Sequence, residues 1–106
     1  MIYMASPYTH SDPFIREVRY LQAMRAVKDL LSRERWVYSP IVHCHELSKF
    51  FSMPFNVEFW QRYNYEMLSI CDRLLILRLE GWEASTGVQV EIRWAEERKM
   101  PVEYTE

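Results

Sequence analysis

In the last third of the chain, an uninterrupted apolar run is followed by apolar residues at helical spacing. Leu74–Leu77 is the most apolar run of the sequence, and an apolar run without alternation is typical of a strand buried on both faces. Further on, Val88, Ile92 and Ala95 recur at helical spacing, in a segment that extends to Lys99. The pattern therefore predicts a buried strand, a connecting loop and an amphipathic helix.

Earlier segments predict a strand followed by a long helix. Met1–Ala5 is apolar, which favours a first strand in the centre of the sheet, and a polar turn with two prolines follows it. Asp12 before Pro13 is typical of an N-cap and a first helical position, so we expect a helix from there to about Arg33. Its apolar stripe is predicted to consist of Val18, Leu21, Val27, Leu30 and Leu31.

The middle of the chain predicts a second strand over Trp36–Ser39, stopped by Pro40. Glu46–Phe51 is compatible with one or two helical turns. Asn56 is expected to cap a helix that extends to Cys71. The residues expected on one face of that helix are Trp60, Tyr63, Met67 and Ile70. A cluster that looks exposed is expected to form a lid over the site or a subunit contact; it comprises Phe50, Phe51, Met53 and Phe55.

These elements indicate an α/β fold in a single domain over residues 1–106. Pro101–Tyr104 would add a short fourth strand. Strands separated by helices, without a hairpin pattern, predict an open parallel sheet of four to five strands with helices on both faces, flavodoxin- or Rossmann-like. The order 2-1-3-4 places the switch point between strands one and three, so loops 6–10 and 81–87 are expected to face each other across one crevice.

Composition narrows the classes of partner. The net charge is −2 with both signs mixed, which argues against a nucleic acid polymer or an anionic membrane as partner. Cys44 and Cys71 are too few for a disulfide scaffold, so a reducing, cytoplasmic compartment is expected. The chain has two glycines, Gly81 and Gly87, and both lie in the loop beside the predicted crevice.

The loop suggests a chemistry for that crevice. Thr86 followed by Gln89 fits a capping box, which would place Glu91 just over one turn into the last helix. On a helix, Glu91 neighbours Gly87 and Val88, so its carboxylate would stand beside a position without a side chain and beside backbone N–H groups. A carboxylate above such a pocket is suited to nucleophilic attack on a sugar carbon.

Three pieces of the chain resemble the nucleoside 2-deoxyribosyltransferase superfamily, which also includes deoxynucleotide N-glycosidases and relatives acting on cytidine monophosphate. Ile2–Tyr8 resembles the family's first strand and the loop that lines its sugar pocket. The spacing of Ser85, Gly87 and Glu91 resembles the loop and helix that supply its catalytic glutamate. Asn64 falls where the family usually has an aspartate. The pattern Gly81-Trp82-x-x-Ser85 also resembles an uncharacterised bacterial and phage branch, usually called deoxyribosyltransferase-like.

The resemblance implies a cofactor-free, metal-free N-glycosidase or deoxyribosyltransferase acting on a nucleoside or nucleoside 5′-monophosphate. Glu91 would be the nucleophile at C1′, oriented by a hydrogen bond from Tyr3, and the reaction would retain configuration. Substrate contacts would come from the loops on both sides of the crevice, with Tyr8 or Trp82 stacking on the base and N–H groups at the helix start binding a phosphate or a sugar hydroxyl. The substrate-binding set implied in this way comprises Ser6, Tyr8, Gly81, Trp82, Ser85, Gly87 and Val88.

Asn64 departs from the pattern, because an asparagine cannot deliver a proton to the leaving base. Three interpretations remain open. Another group takes that role, with His43, His45 and Glu66 as candidates. Alternatively, the leaving group needs little protonation, or the protein binds nucleotides with little turnover.

Other functions also remain open from the sequence. His43-Cys44-His45-Glu46 invites a metal interpretation, but adjacent ligands on one segment rarely complete a zinc site. A second class of function is a nucleotide-binding or sensing module that uses the same crevice without chemistry. A third is an interaction domain with a functional aromatic surface. In the resembling family a neighbouring subunit often completes the pocket, so a homodimer or higher oligomer is expected.

Overall fold

Four short strands form one parallel sheet at the centre of the domain. In the computed structural model, which describes residues 1–51 and 56–105, the strands are β1 (Ile2–Ala5), β2 (Val37–Tyr38), β3 (Arg73–Ile76) and β4 (Val102–Tyr104). Their order in the sheet is β2-β1-β3-β4, with every pair parallel. The predicted fold class, strand order and switch point between β1 and β3 are confirmed.

Over residues 1–51 and 56–105, four α-helices cover the two faces of this sheet. They are α1 (Pro13–Ser32), α2 (Pro40–Phe50), α3 (Val57–Ser69) and α4 (Thr86–Glu97). A short 3₁₀ helix, Trp82–Ala84, precedes α4. Within the described ranges, none of these helices is both long enough and apolar enough to cross a membrane.

Alternating strand residues belong to two separate hydrophobic cores, because successive side chains point to opposite faces of a sheet. One core contains Tyr3 of β1 with Leu74 of β3, and it includes Leu68 of α3 with Val88 of α4. The opposite core is formed by the residues one position along the strands, packed against α1. Its buried members are Ile2, Met4, Ala23, Leu30 and Leu75.

The predicted start of α1 is confirmed, and its predicted stripe is partly wrong. The Asp12 carboxylate accepts a hydrogen bond from the N–H of Phe14 at 2.9 Å, with Pro13 as the first helical residue. Leu21 and Leu31 are exposed, because the helix turns a different face to the sheet. The residues of that face are Tyr20, Ala23, Val27 and Leu30.

Helices α2 and α3 also differ from their predicted boundaries. Helix α2 begins at Pro40, six residues before the predicted turns, because the Ser39 hydroxyl accepts from the N–H of Val42 and caps it. Asn56 caps α3 as predicted. That helix ends at Ser69, before the predicted Cys71, and Ile70 lies exposed beyond its end.

The predicted apolar cluster is only partly covered by the structure. Phe50 and Phe51 are exposed at the end of α2. Met53 and Phe55 lie outside the described residues. The interpretation of this cluster as a lid or a subunit contact therefore stays a prediction.

The N-cap of α4 is Ser85, so the predicted capping box of Thr86 and Gln89 is wrong. The Ser85 hydroxyl accepts from the N–H of Val88 at 3.3 Å. The Gln89 side chain instead donates to the carbonyl of Glu83 in the 3₁₀ helix. The helix therefore begins one residue earlier than predicted, and Glu91 still lies in its second turn.

Candidate functional site

A cavity of about 980 Å³ opens at the carboxyl ends of β1 and β3, where parallel α/β sheets place their ligands. The loop after β1 contributes Ser6 and Tyr8, and the start of α4 contributes Ser85 and Gly87. These two segments therefore lie on one cavity. Helices α1, α2 and α3 close its remaining sides. The polar and charged residues that they contribute to the lining include Arg16, Glu17, Cys44, His45, Lys49 and Asn64.

Glu91 lies on the wall of this cavity with its side chain almost fully withdrawn from water. It is 8% exposed and accepts a hydrogen bond from the Tyr3 hydroxyl. Burial raises the pKa of Glu91 from 4.5 to about 7, and the Tyr3 hydrogen bond opposes that rise. Near neutral pH the carboxyl group is therefore present in both its charged and its neutral form.

Tyr3 lies beneath the cavity, in the centre of the sheet. Its side chain is fully buried, and burial, followed by the charge of Glu91, raises the pKa of Tyr3 well above its ordinary value. The phenol therefore keeps its proton at neutral pH and acts as a donor. Because β1 is held between two neighbouring strands, this donor is fixed relative to Glu91.

Asn64 also faces the cavity, and a second tyrosine of the sheet fixes its side chain. The hydroxyl of Tyr38 donates to the Asn64 carbonyl oxygen at 3.0 Å. The rings of Tyr3 and Tyr38 lie 5.6 Å apart, so adjacent strands present two tyrosines to two side chains of the cavity wall. Burial raises the pKa of Tyr38 as well, which leaves its hydroxyl protonated.

The start of α4 offers polar groups beside Glu91. Ser85 uses its hydroxyl to cap the helix, while Thr86 and Gly87 line the cavity. Across from them, the hydroxyl oxygen of Ser6 is buried and has no hydrogen-bond partner among residues 1–51 and 56–105. A buried hydroxyl of this kind is costly unless it is satisfied, so it is a group that a ligand can pair with.

Three residues of the predicted binding set do not line the cavity. Gly81 lies outside it with a backbone φ of +89°. Trp82 packs against the core and against Tyr104, with ring centroids 5.9 Å apart. The side chain of Val88 is fully buried in the core, and its N–H is held by Ser85. In this structure Trp82 is therefore not placed to stack on a base.

The three candidates for the proton donor in place of Asn64 differ in their positions relative to the cavity. His45 lines the cavity, whereas His43 and Glu66 do not. His43 is exposed, stacks on the Tyr63 ring and is paired with its hydroxyl at 3.2 Å.

Sequence reasoning missed two charged side chains on α1 that line the cavity, Arg16 and Glu17. They belong to a helical face that looks solvated in the sequence. Only the position of α1 against α2 shows where they point.

The metal interpretation of the segment 43–46 finds no support in the arrangement of the described residues. Among the residues that the structure describes, no group of three or more His, Cys, Asp and Glu side chains is placed to hold a metal ion. Cys44 and Cys71 are free thiols. Cys44 lines the cavity, but burial raises its pKa to about 11, so it remains a poorly nucleophilic thiol.

The fold and this cavity define an open parallel α/β domain with a buried tyrosine–glutamate pair at its switch point. A comparison with protein families matches residues 1–106, and the chain belongs to the family described as "Domain of unknown function (DUF1937)". A comparison with curated proteins finds no match.

Proposed function

We propose that this protein cleaves or transfers the N-glycosidic bond of a nucleoside or nucleoside 5′-monophosphate, with Glu91 as the nucleophile. The observation that carries the proposal is the buried Glu91 carboxyl on a cavity wall, held by the hydroxyl of Tyr3. Withdrawing an ionisable group from water costs stability, and such groups concentrate at functional sites.

The groups that determine the pKa of Glu91 support a chemical role for this residue over a structural one. Burial and one neutral hydrogen bond determine its pKa, whereas a structural carboxylate in a protein interior is usually paired with a cation. A pKa of about 7 leaves roughly half of the groups ionised at neutral pH. A desolvated carboxylate of this kind is a competent nucleophile toward an oxocarbenium-like carbon.

The reaction would proceed in two displacements. The Glu91 carboxylate attacks C1′, the electron pair of the C1′–N bond leaves with the base, and a glycosyl ester forms on Glu91. Water or a second base then attacks C1′ from the opposite side and releases Glu91, so the anomeric configuration is retained. A cavity of about 980 Å³ is at the upper end of ligand pockets and has room for a nucleotide.

The cavity also carries the charges that a nucleotide requires. Arg16 and Lys49 lie on its wall, and cations there favour a substrate with a phosphate. The free thiols fit the reducing, cytoplasmic compartment expected from the sequence. A second copy of the chain, packed on the exposed Phe50 and Phe51, would complete the cavity in a homodimer.

A second candidate function is nucleotide binding without turnover, and Asn64 favours it. The amide is held by Tyr38 at the place where the resembling enzymes have an acid, and an amide has no proton to give to a departing base. This candidate uses the same cavity and the same ligand class.

The experiment is a panel of ribo- and 2′-deoxynucleoside 5′-monophosphates, incubated with the protein and analysed for free base by chromatography. We expect release from at least one nucleotide and its loss in Glu91→Gln, which keeps the size of the side chain and removes its charge. Glu97→Gln, on an exposed part of α4, is the matched control and should retain the activity. Undiminished release by Glu91→Gln removes Glu91 from the reaction, and thermal stabilisation by nucleotides without any release favours the binding module.

A further inference from the structure

Three side chains from three different elements form a hydrogen-bonded chain at one side of the cavity. The Tyr8 hydroxyl, in the loop after β1, lies 2.6 Å from Nδ1 of His45 on α2. Nε2 of His45 lies 2.8 Å from a carboxylate oxygen of Glu17 on α1. All three side chains line the same cavity as Glu91.

The imidazole in the middle of this chain is held rigidly. His45 is 6% exposed, and its ring stacks on the ring of Tyr20 with centroids 4.0 Å apart. Both ring nitrogens have a partner within hydrogen-bond distance. The orientation of His45 on α2 is therefore fixed by contacts at both ring nitrogens and on one face of the ring.

The groups at the two ends of this hydrogen-bonded chain determine which atoms donate and which accept. An ionised carboxylate only accepts hydrogen bonds, so Glu17 accepts a hydrogen bond from the N–H of Nε2. When His45 carries protons on both ring nitrogens, Nδ1–H donates to the Tyr8 oxygen, 2.6 Å away. The Tyr8 hydroxyl is left free to donate its own proton into the cavity. A carboxylate–histidine–tyrosine chain thus leads from helix α1 to the cavity.

We propose that Tyr8 delivers the proton that the leaving base requires, with His45 as the group behind it and Glu17 as the fixed counter-charge. The inference rests on the proposed function and fills the role that Asn64 cannot perform. Tyr8 is the catalytic residue of this relay because its hydroxyl would meet the leaving base, and His45 and Glu17 act through it.

The proton balance closes at each step. As the C1′–N bond breaks, the base nitrogen keeps the bonding electron pair and takes the hydroxyl proton of Tyr8. The Tyr8 oxygen takes the Nδ1 proton of His45, which becomes neutral, while Glu17 stays ionised. When water later attacks C1′, its proton returns through Tyr8 to His45, and Glu91 leaves as a carboxylate.

The surroundings of Tyr8 favour the protonated phenol. Burial is the largest influence that raises its pKa, and the nearby Cys44, Glu17 and Glu46 raise it further, while Arg16 opposes them. The hydroxyl therefore remains a donor at neutral pH. On the His45 side, the other facing groups are Tyr20 and the carboxylate of Glu17.

The relay predicts a dependence on the leaving group that a structural role would not produce. The test compares the fastest nucleotide of the panel with a p-nitrophenyl furanoside 5-phosphate of the same sugar, since p-nitrophenolate departs without a proton. In the first turnover, before water attacks the glycosyl intermediate, Tyr8→Phe and His45→Gln are each expected to lower base release by roughly 10²- to 10⁴-fold. In the same turnover, they are expected to lower p-nitrophenolate release by less than about tenfold. Glu91→Gln should abolish both reactions.

The chain provides a matched control pair. Tyr63 and His43 form a second tyrosine–histidine contact, at 3.2 Å, that does not line the cavity. Tyr63→Phe and His43→Gln make the same chemical changes there, and we expect them to leave both reactions at the wild-type rate. Thermal unfolding of every variant verifies that it is folded, and His45→Gln tests the relay independently if Tyr8→Phe does not fold.

Each outcome of this test is decisive. Selective loss of base release in the cavity variants supports the relay. Equal losses on both substrates, or none, overturn the relay while Glu91-dependent cleavage still supports the proposed function. If wild type cleaves neither substrate, the relay and the proposed function are both overturned.

Discussion

At the scale of single residues, the ionisation of Glu91 links the stability of the domain to pH. Its pKa is about 7 in the folded chain against an ordinary 4.5, so the folded state holds a proton that the unfolded state releases between these two values. Stability from this group is complete below pH 4.5 and is lost as the pH rises through 7.

Glu91→Gln tests this linkage, because glutamine keeps the shape and the acceptor for Tyr3 but has no charge to bury. Between pH 4.5 and 8.5 the wild-type free energy of unfolding should fall relative to the variant, by up to about 3 kcal/mol. Urea unfolding at a series of pH values measures it. The same series with Glu97→Gln should run parallel to wild type, and a parallel course for Glu91→Gln would mean that Glu91 is solvated.

Tyr3→Phe tests how the hydrogen bond from Tyr3 affects the pKa of Glu91. The Tyr3 hydroxyl lowers the pKa of Glu91, so its removal should raise that pKa above about 7 and move the alkaline rise of base release to higher pH. A hydrogen bond to a charged group is worth about 1.5–3 kcal/mol, so the rate at pH 7 should fall roughly tenfold and recover at high pH. A pH–rate profile measures this shift; an unchanged midpoint would separate Tyr3 from the ionisation of Glu91.

At the scale of elements, the two glycines that look equivalent in the sequence have different roles. Gly81 has a φ of +89°, and a β-carbon built on it would lie 2.7 Å from Nη2 of Arg19. Gly87 lies inside α4, and the nearest atom to its β-carbon would be the Ser85 hydroxyl oxygen at 4.0 Å. Only Gly81 therefore needs the conformational freedom of glycine.

The two alanine substitutions should therefore have different effects on the free energy of unfolding. Gly81→Ala should destabilise the domain by roughly 1–2 kcal/mol, because of left-handed backbone strain. Gly87→Ala should be neutral or stabilising by up to about 1 kcal/mol, because alanine is the better helix former. Chemical unfolding of the two variants side by side measures both effects. Equal destabilisation would contradict the assignment of Gly87 to the helix.

Element types and their order were predictable from periodicity, whereas the face that each helix buries was not always predictable. The stripe of α4 is regular, and Val88, Ile92 and Ala95 pack on the core as predicted. In α1, Leu21 and Leu31 are apolar but exposed. The small side chain of Ala23 is buried in the core against the sheet. Tertiary packing therefore determines which face of α1 is buried, and that face is not the most apolar one.

At the scale of the whole molecule, the topology explains why part of the candidate site could be predicted. Parallel strands bring their carboxyl ends to one edge, so the loops after β1 and β3 lie on the same cavity. No sequence pattern indicates the Tyr8–His45–Glu17 chain, because its members belong to three different elements. In the sequence, His45 is 37 positions from Tyr8 and 28 positions from Glu17. Such a contact is visible only once α1 and α2 are packed.

The expected homodimer is also a property of the whole molecule. If Phe50 and Phe51 are covered by a second copy, Phe50→Glu should convert a dimer to a monomer in light scattering coupled to size exclusion, because a buried charge opposes association. Phe14→Glu places the same change on an equally exposed phenylalanine of α1 and should leave the dimer intact. A monomeric wild-type protein would contradict the expected assembly.

The most direct test of Glu91 as nucleophile is the mass of the protein during turnover. With a 2-fluoro-substituted nucleotide analogue, which slows release of the glycosyl intermediate, we expect a covalent glycosyl adduct on the peptide that contains Glu91, and none in Glu91→Gln. An adduct on another residue, or base release from wild type that proceeds without any adduct, would contradict the account.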